Sequence, residues 1–297
     1  MTPITHSQGF PAWVATRDGR RLYTQTLAGP ADSPTVVFEA GSGATRSYWA
    51  AVQQPVSAVA HSIVYDRSGL GRSEPDPAGR SLDRMADDLV ELLDHFGPGP
   101  FILVGHSAGG PIVRLAAARR LHLLAGLVLV EPADESSDLL FSKMFRRNER
   151  IAIGVGKVLS RLGVLRYLYG SLLTAAPAND VREDLRREAF TYRVLQTQGQ
   201  QARTFLDELA AWRSAPPSVG DLPVTVISGG LALTKDGMPK HVRAQAIAAH
   251  SHRAAQSPDG RHVKAQHSGH AVPISEPQLV ADEIARLVAK TRHQGDR

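Results

Sequence analysis

The sequence predicts an α/β fold in which a mostly parallel central sheet is flanked by helices and carries one inserted helical unit. Two observations predict this fold. Short apolar runs of strand length alternate with longer segments of helical period, as in sheets whose parallel strands are joined by crossover helices. The alternation stops for roughly ninety residues between Glu131 and Val224, which is too long for an ordinary loop of a compact domain. This stretch is therefore predicted to be the inserted helical unit.

Eight apolar runs predict strands. Parallel strands are expected at Thr35–Glu39, Ser62–Asp66, Phe101–Gly105, Leu127–Glu131, Val224–Ser228 and His262–Ala265. Two further strands, near Ala12–Thr16 and Arg21–Thr26, flank the turn signal Asp18-Gly19. They predict an antiparallel hairpin at the edge of the sheet.

Helices are predicted where apolar residues recur at helical spacing. One should begin after Ser81, a residue type that caps helices, and end at Gly97-Pro98. Others should follow Ser107 and Pro277, reaching Arg120 and Lys290 respectively. The inserted unit is expected to contain helices at Leu139–Gly154, Val158–Leu173, Val181–Gln196 and Arg203–Trp212. We assign residues 1–131 and 221–297 to the core and residues 132–220 to the inserted unit.

The composition is that of a folded globular protein, with 42% hydrophobic and 21% charged residues. No apolar run approaches a membrane span, and Met1–Phe10 lacks the pattern of a secretory signal, so we expect a cytoplasmic protein without stable membrane insertion. The chain has no cysteine, which excludes disulfides, thiol chemistry and thiolate metal sites. Its net charge of +5 comes without a nucleic-acid-binding motif, so no nucleic-acid partner is expected.

The pentapeptide Gly105-His106-Ser107-Ala108-Gly109 fits the pattern G-x-S-x-G. It lies directly after a predicted apolar strand and directly before a predicted helix. A strand that turns so sharply into a helix strains the serine and lifts its hydroxyl above the sheet, where the helix N-terminus favours negative charge. The alternative is an ordinary serine at a helix N-cap. We favour Ser107 as a nucleophile.

A serine hydroxyl is a weak nucleophile unless a neighbouring base accepts its proton. The loop after the last strand carries His267 and His270, and Ser275-Glu276-Pro277 opens the closing helix. This loop should lie over the carboxyl ends of the strands, where ligands bind in such sheets. We favour His270 as the base and interpret His267 as a solvent-facing residue.

With these motifs in place, the chain resembles the α/β-hydrolase superfamily over nearly its whole length. The matching segments are Gly41-Ser42-Gly43 after a strand, Tyr65–Ser73, the serine pentapeptide, and Gly269-His270 followed by Glu276-Pro277. The resemblance implies the α/β-hydrolase fold, with the inserted unit as a helical cap, and the order serine, acid, histidine for a catalytic triad. Asp66 and Arg67 are interpreted as residues that hold loops in place.

The position of the triad acid departs from the commonest pattern of the superfamily. The loop after Val224–Ser228 carries no acid until Asp236. By resemblance to haloalkane dehalogenases and zearalenone-type lactonases, a second position lies one strand earlier, and Glu131 stands there. A carboxylate at the end of an apolar strand needs a partner, which a histidine N–H supplies. We favour Glu131, with Asp236 and Asp134 as alternatives.

The sharp turn at Ser107 offers the Ala108 amide as one oxyanion donor, and the resemblance implies Ser42 as the second. Serine in place of aspartate argues against dehalogenase and epoxide hydrolase chemistry. The sequence thus predicts hydrolysis of a small-molecule carboxylic ester or lactone through an acyl-enzyme on Ser107, without a cofactor or a metal. The same triad could serve carbon–carbon bond, amide or perhydrolysis chemistry, or a weakly catalytic receptor. The substrate's identity and the oligomeric state stay open.

The expected cap carries the candidates for substrate specificity and a strongly basic segment. The specificity candidates are Phe141, Met144, Phe145, Leu165, Tyr167, Leu168, Tyr169, Phe190, Tyr192 and Phe205, of which only a minority should line a pocket. From Lys143 to Arg166, seven basic residues face one acid, Glu149, among regularly spaced apolar residues. This amphipathic segment could contact anionic or lipid-like substrates. The solvated outer face of cap helices is the interpretation we favour.

Overall fold

A computed structural model describes residues 6–233 and 238–295, with side chains described up to residue 292. These residues form one eight-stranded sheet. Its strands are β1 (Phe10–Ala15), β2 (Arg21–Leu27), β3 (Thr35–Glu39), β4 (Ser62–Tyr65), β5 (Phe101–His106), β6 (Leu124–Val130), β7 (Val224–Gly229) and β8 (Gly260–Ala265). All eight predicted strands are present, with ends that differ by at most three residues from the prediction.

The strands follow the order β1-β2-β4-β3-β5-β6-β7-β8. The pairs from β4 through β8 are parallel, whereas β2 pairs antiparallel with both β1 and β4. The predicted α/β class, the mostly parallel sheet and the edge hairpin are therefore confirmed. Because the carboxyl ends of parallel strands share one edge, the residues that follow β3, β5, β6, β7 and β8 converge there.

Twelve α-helices are present among the described residues. They are α1 (Ala50–Val56), α2 (Leu82–Phe96), α3 (Gly109–Arg119), α4 (Lys143–Arg161), α5 (Leu165–Leu168), α6 (Gly170–Thr174), α7 (Asn179–Asp184), α8 (Tyr192–Gln201), α9 (Phe205–Ala211), α10 (Lys240–Ala255), α11 (Val272–Ser275) and α12 (Pro277–Gly295). Helices α2 and α3 bury apolar side chains on one face of the sheet, and α1 and α12 bury theirs on the other. Helix α2 begins and ends as predicted: Ser81 Oγ accepts from the Arg84 amide at 3.2 Å, and Gly97 follows with a φ of 111°.

Residues 132–220, all of them described, form helices and no strand. The predicted break after Gly154 is wrong, because α4 continues through both Gly154 and Gly156 to Arg161. A glycine inside a helix costs about 1 kcal/mol, but Gly156 is buried where a Cβ atom would stand 2.9 Å from Leu195 of α8. Close packing of α4 on α8 thus offsets the low helix propensity. The assignment of residues 132–220 to a separate cap stays a prediction.

Helix α10 was missed by the sequence analysis. Its residues run from Lys240 to Ala255 in the connection between β7 and β8, and it packs against both strands. Its apolar residues are mostly alanines, which give a weak hydrophobic period. The omission matters because this helix supplies side chains to the carboxyl edge of the sheet.

Arg46 joins the core to the inserted unit through a fully buried guanidinium group. It contacts Asp66 of the core at 2.6 Å, and Glu188 at 2.5 Å and Asp184 within residues 132–220. Burial of so much charge is tolerated only when the opposite charges are paired and hydrogen-bonded. Arg72 contacts the same two carboxylates of the inserted unit from the surface, with 43% of its side chain exposed.

We predict that Arg46→Met lowers the free energy of unfolding by about 3–5 kcal/mol, because it leaves buried carboxylates without their counter-charge. The matched control is Arg72→Met, expected to cost at most about 1 kcal/mol because solvent screens an exposed ion pair. Urea unfolding at neutral pH measures both. Equal losses for the two variants would show that the buried arginine has no special role in attaching the inserted unit.

Candidate active site

Ser107 lies at the predicted turn between β5 and α3, with a φ of 54°. The left-handed backbone is strained for a residue with a Cβ atom, and strain of this kind concentrates at functional sites. The flanking glycines permit the turn: a Cβ atom at Gly105 would stand 2.6 Å from Gly109 O, and one at Gly109 would stand 2.6 Å from Glu39 O. The Ser107 side chain therefore projects beyond the carboxyl ends of the central strands.

Glu131 is the first residue after β6, the strand next to β5. It also has a positive φ, of 47°, and its side chain is 2% exposed. Its Oε2 lies 3.2 Å from His270 Nδ1. Its Oε1 accepts hydrogen bonds from the Gly229 amide at 2.6 Å and from Arg243 at 2.7 Å. One carboxylate thus connects the ends of β6 and β7 with α10 and with the loop after β8.

The surroundings of Glu131 favour its charged form. Burial by itself would raise the pKa of this carboxyl, but the hydrogen bond from His270, the histidine charges and the hydrogen bond from Arg243 outweigh burial and lower the pKa to about 2. The group is therefore a carboxylate throughout the neutral range. A charged acceptor at this place holds the His270 ring with Nδ1 as donor, so that Nε2 of the neutral ring is free to accept a proton.

His106 connects the Ser107 turn to the loop that carries His270. Its Nε2 lies 3.0 Å from the His270 carbonyl oxygen, and the two ring centroids are 4.8 Å apart. The carbonyl can only accept, so Nε2 carries the proton and donates. Burial and the nearby His270 lower the pKa of His106 to about 3, which keeps the ring neutral. His106 therefore positions the backbone of His270 beside the serine turn, a placement that the sequence analysis did not recognise.

The hydroxyl of Ser107 makes no hydrogen bond to His270 among the described residues. Catalytic hydrogen bonds of unliganded enzymes are often long and shorten when substrate binds. The Ser107 backbone is bound to the segment around Glu131: the Ser107 amide donates to Val130 O at 3.1 Å and its carbonyl accepts from the Ala133 amide at 2.9 Å. Ser107 is thus fixed against the residues that surround Glu131.

The remaining candidates for the acid and the base are Asp134, Asp236 and His267. Asp134 is paired with Arg253 at 2.7 Å and contacts Ser136, not His270. Asp236 lies outside the described residues. His267 is exposed, as predicted, and its amide donates to Glu276.

Helix α10 contributes two buried side chains that the sequence analysis missed. Arg243 binds Glu131, and its Nε donates to the Leu231 carbonyl at 3.1 Å. His250 Nε2 donates to the Pro132 carbonyl at 3.0 Å, and its Nδ1 accepts from Ser228 at 2.8 Å and lies 3.8 Å from Glu131. The two residues are seven positions apart, which is two helical turns, so they share one face. The spacing of seven residues could have indicated that Arg243 and His250 face the same way, but only after the helix itself had been predicted.

Two backbone amides are free to bind a developing oxyanion. Among the described residues, neither the Ser42 amide nor the Ala108 amide donates to a protein group. A Cβ atom at Gly41 would stand 3.3 Å from Ser107 Cβ, so glycine lets this loop approach the serine closely. Arg67 donates to the Gly41 carbonyl at 2.6 Å and so holds the loop in place. Asp66 and Arg67 thus make contacts with loops, as the sequence analysis interpreted them.

A cavity of about 620 Å³ extends from the Ser42 loop into the inserted unit. Its walls come mainly from α4, α5, α6, α8 and the π-helical turn Leu185–Ala189. Four of the ten specificity candidates line it: Leu165, Leu168, Tyr169 and Phe190. The polar side chains in the wall include Gln198 and Glu149. Burial raises the pKa of Glu149, and the charge of Arg146 opposes this rise only in part.

In residues 6–233 and 238–295, no group of three or more histidine, aspartate or glutamate side chains is arranged to hold a metal ion. The prediction that the chemistry needs no metal stays a prediction. No helix in these ranges combines the length and apolar character needed to cross a bilayer.

The model of the alpha/beta hydrolase family matches residues 36–283, which include the serine turn, Glu131 and His270. The chain belongs to this family. This alpha/beta hydrolase is 33% identical over 126 residues to the uncharacterized protein YqjL of Bacillus subtilis, a match that covers 41% of the chain and 49% of YqjL. The chain thus spans about half the length of this relative.

Two further comparisons cover most of this alpha/beta hydrolase. A protein of Pantoea ananatis provisionally named carbamate hydrolase RutD is 27% identical over 250 residues, covering 83% of the chain and 85% of the relative. The solved structure of a thermophilic esterase from Thermogutta terrifontis superposes with a TM-score of 0.69 at 20% identity, covering 96% of this chain and all of that one. The second likeness shows the shared fold.

We predict that the ionised Glu131 stabilises this alpha/beta hydrolase in a pH-dependent way. Its folded pKa of about 2 lies below the ordinary 4.5, so its contribution is complete above pH 4.5 and is lost as the pH falls toward 2. The stability difference between wild type and Glu131→Gln should therefore narrow by on the order of 3 kcal/mol across that window.

Urea unfolding at several pH values between neutral and acidic measures this difference. Asp282→Asn, which removes an exposed carboxyl on α12, is the matched control for the loss of one carboxylate. A constant gap between wild type and Glu131→Gln at all pH values would contradict the lowered pKa.

Proposed function

We propose that this protein is a serine hydrolase that cleaves a carboxylic ester or lactone through an acyl-enzyme on Ser107. One observation carries the proposal: the hydrogen bond between His270 Nδ1 and Glu131 Oε2 lies next to a strained serine at the head of a helix. An imidazole held by its Nδ1 on a buried carboxylate presents Nε2 as a base. Membership of the family supports hydrolysis in general, and the arrangement of Ser107, Glu131 and His270 supports hydrolysis through an acyl-enzyme.

The proposed reaction has two balanced halves. His270 Nε2 accepts the Ser107 proton while Oγ attacks the substrate carbonyl, and the Ser42 and Ala108 amides stabilise the negative oxygen. Collapse of this intermediate breaks the ester bond, and His270 returns the proton to the leaving alkoxide. In the second half, water attacks the acyl carbonyl while His270 Nε2 accepts its proton. Collapse then releases the acid, and His270 returns the proton to Ser107 Oγ, which restores the hydroxyl. Glu131 stabilises the positive charge on His270 in both halves.

Serine at the nucleophile position also separates this site from aspartate-dependent relatives. An aspartate ester intermediate suits epoxide or alkyl halide opening, whereas a serine hydroxyl suits acyl transfer. The cavity favours a substrate with an apolar part of small or medium size. We further propose that residues 132–220 act as a cap that excludes water from this cavity.

A carbamate is the second candidate substrate class. The relative from Pantoea ananatis, matched over 83% of the chain, bears that name. A carbamate carbonyl undergoes the same serine attack, so the proposed triad serves either substrate. A panel of matched esters, lactones and carbamates distinguishes the two by their kcat/KM values.

We predict that a fluorophosphonate probe labels Ser107. An uncharged hydroxyl reacts with such a probe only when its base and its oxyanion donors are assembled. Labelling should be absent in Ser107→Ala and at least roughly a hundredfold slower in His270→Gln, since general base catalysis contributes about that factor or more.

Intact-protein mass spectrometry detects the adduct, and peptide mapping locates it. Asp134→Asn, a change beside the site but outside the proposed triad, should label at the wild-type rate. An unlabelled wild-type protein that binds esters without hydrolysing them would instead identify a receptor.

We predict that Glu131→Gln lowers kcat for p-nitrophenyl acetate by about 10³- to 10⁴-fold, because a neutral amide neither fixes the imidazole tautomer nor stabilises its charge. Asp236→Asn, the change at the alternative acid, should retain wild-type kcat. Initial rates at neutral pH measure both. Full activity of Glu131→Gln together with loss in Asp236→Asn would move the acid to the loop after β7.

A further inference from the structure

Helix α4 exposes an apolar stripe to solvent on its outer face. The stripe consists of Met144, Ile151, Val155 and Val158 of the helix and Leu162 directly after it, each between 52% and 68% exposed. Their spacing of seven, four, three and four residues places them on one side of the helix. On the opposite side, Ile153 and Gly156 are buried against the rest of the inserted unit. More than half of each stripe side chain is therefore left uncovered by the rest of the chain.

The segment after α4 enlarges this surface. Val164, Tyr167, Leu168 and Tyr169 are also exposed, by 40% to 72%. These nine side chains, here called the cap stripe, are nine of the thirteen large hydrophobic residues that are exposed in the described part of the chain. Isolated exposed apolar residues are normal, whereas such a concentration marks an interaction surface.

The surroundings of the cap stripe are strongly basic. Seven cations lie between residues 143 and 166: Lys143, Arg146, Arg147, Arg150, Lys157, Arg161 and Arg166. Among the described residues, Arg146 is the one that forms an ion pair, with Asp207. The sole acid of the segment, Glu149, lines the cavity instead. The charge that surrounds the apolar surface is therefore almost entirely positive and largely unneutralised.

This charge decides between the possible occupants. A second copy of the chain, packed stripe against stripe, would bring two sets of cations together at short distance, and like charges oppose such an interface. An anionic lipid surface offers apolar chains to the stripe and negative headgroups to the cations at the same time. The combination of cations with exposed apolar residues on one amphipathic helix is typical of helices that lie in the membrane interface.

The cap stripe is continuous with the cavity. Val155, Leu168 and Tyr169 are exposed members of the stripe and also line the cavity that reaches Ser42. An apolar molecule that leaves a bilayer at this surface thus meets side chains that belong to the cavity wall. This shared wall gives the lipid contact a role in substrate access.

We propose that the cap stripe binds anionic lipid bilayers peripherally and gives apolar ester substrates access from the bilayer to the cavity. The binding half of this proposal, that the stripe contacts the bilayer, is based on the exposure and charge of these residues alone. The access half, that substrates pass from the bilayer to the cavity, rests on the proposed function. Binding is peripheral because α4 lies with one side packed on the protein. The favoured interpretation of the segment as a merely solvated outer face does not account for nine exposed apolar side chains.

Vesicle co-sedimentation tests the binding half without any substrate. The full chain is mixed with vesicles of phosphatidylcholine alone or with about 30 mol% phosphatidylglycerol, at about 20 mM and about 150 mM NaCl. Wild type should sediment with the anionic vesicles, more strongly at the lower salt. Val158→Glu with Leu162→Glu should weaken this binding at least roughly tenfold, because two carboxylates enter the apolar contact.

Matched variants separate the contributions. Phe10→Glu with Leu121→Glu, which changes exposed apolar residues outside the inserted unit, should bind anionic vesicles like wild type. Lys143→Gln with Arg147→Gln should weaken binding to anionic vesicles and reduce its salt dependence. Val158 and Leu162 do not line the cavity, so their double variant should hydrolyse water-soluble p-nitrophenyl acetate at the wild-type rate.

Absence of wild-type binding to anionic vesicles at low salt would overturn the proposal, as would equal losses in the stripe variant and its control. If light scattering instead showed a dimer that the stripe variant dissolves, with no vesicle binding, a second copy would be the occupant and the lipid proposal would be wrong. Vesicle binding without any ester hydrolysis would leave the lipid contact standing and count against the proposed function.

Discussion

The architecture of the site depends on one buried carboxylate. Glu131 leaves β6 with a left-handed backbone, and its two oxygens bind groups from three other parts of the chain: the Gly229 amide, Arg243 and His270. A charge withdrawn from water this far persists only when such partners surround it. The parallel sheet makes the arrangement possible, because it brings the carboxyl ends of neighbouring strands to the same edge. The position of Glu131 therefore depends on the fold, and the arrangement of the site depends on Glu131.

Buried arginines connect other segments of the chain in the same way, through charged groups surrounded by hydrogen-bonding partners. Arg67 holds the carbonyls of the Ser42 loop, whereas Arg46 ties the segment after that loop to Asp184 and Glu188. The loop that carries the unbound Ser42 amide is thus held by polar contacts on both sides, the kind of rigidity that a preorganised oxyanion donor requires. Within the inserted unit, the inner face of α4 lines the cavity and its outer face carries exposed apolar side chains.

Much of the fold and part of the site could be read before the structure was known. The strands follow from apolar runs, and the serine turn follows from Gly105 and Gly109, whose missing Cβ atoms permit a local backbone path. His270 was predicted from its position after the last strand, and Glu131 from its position after a strand together with the resemblance to other α/β-hydrolases. The predicted break in α4 was wrong because the contact of Gly156 with Leu195 is not local. Arg243 and His250 were missed because their helix has a weak apolar period.

The sequence by itself determined the class of fold, the order of its strands along the chain and the residue types at the ends of those strands, since these depend on periodicity and on local sterics. Tertiary structure decided which of those ends meet. The 3.2 Å contact between Glu131 and His270 joins residues 139 positions apart, and the cap-stripe residues of α4 are exposed because the opposite side of that helix is packed. Such facts depend on the direction of side chains in space, which long-range packing sets and residue spacing does not encode.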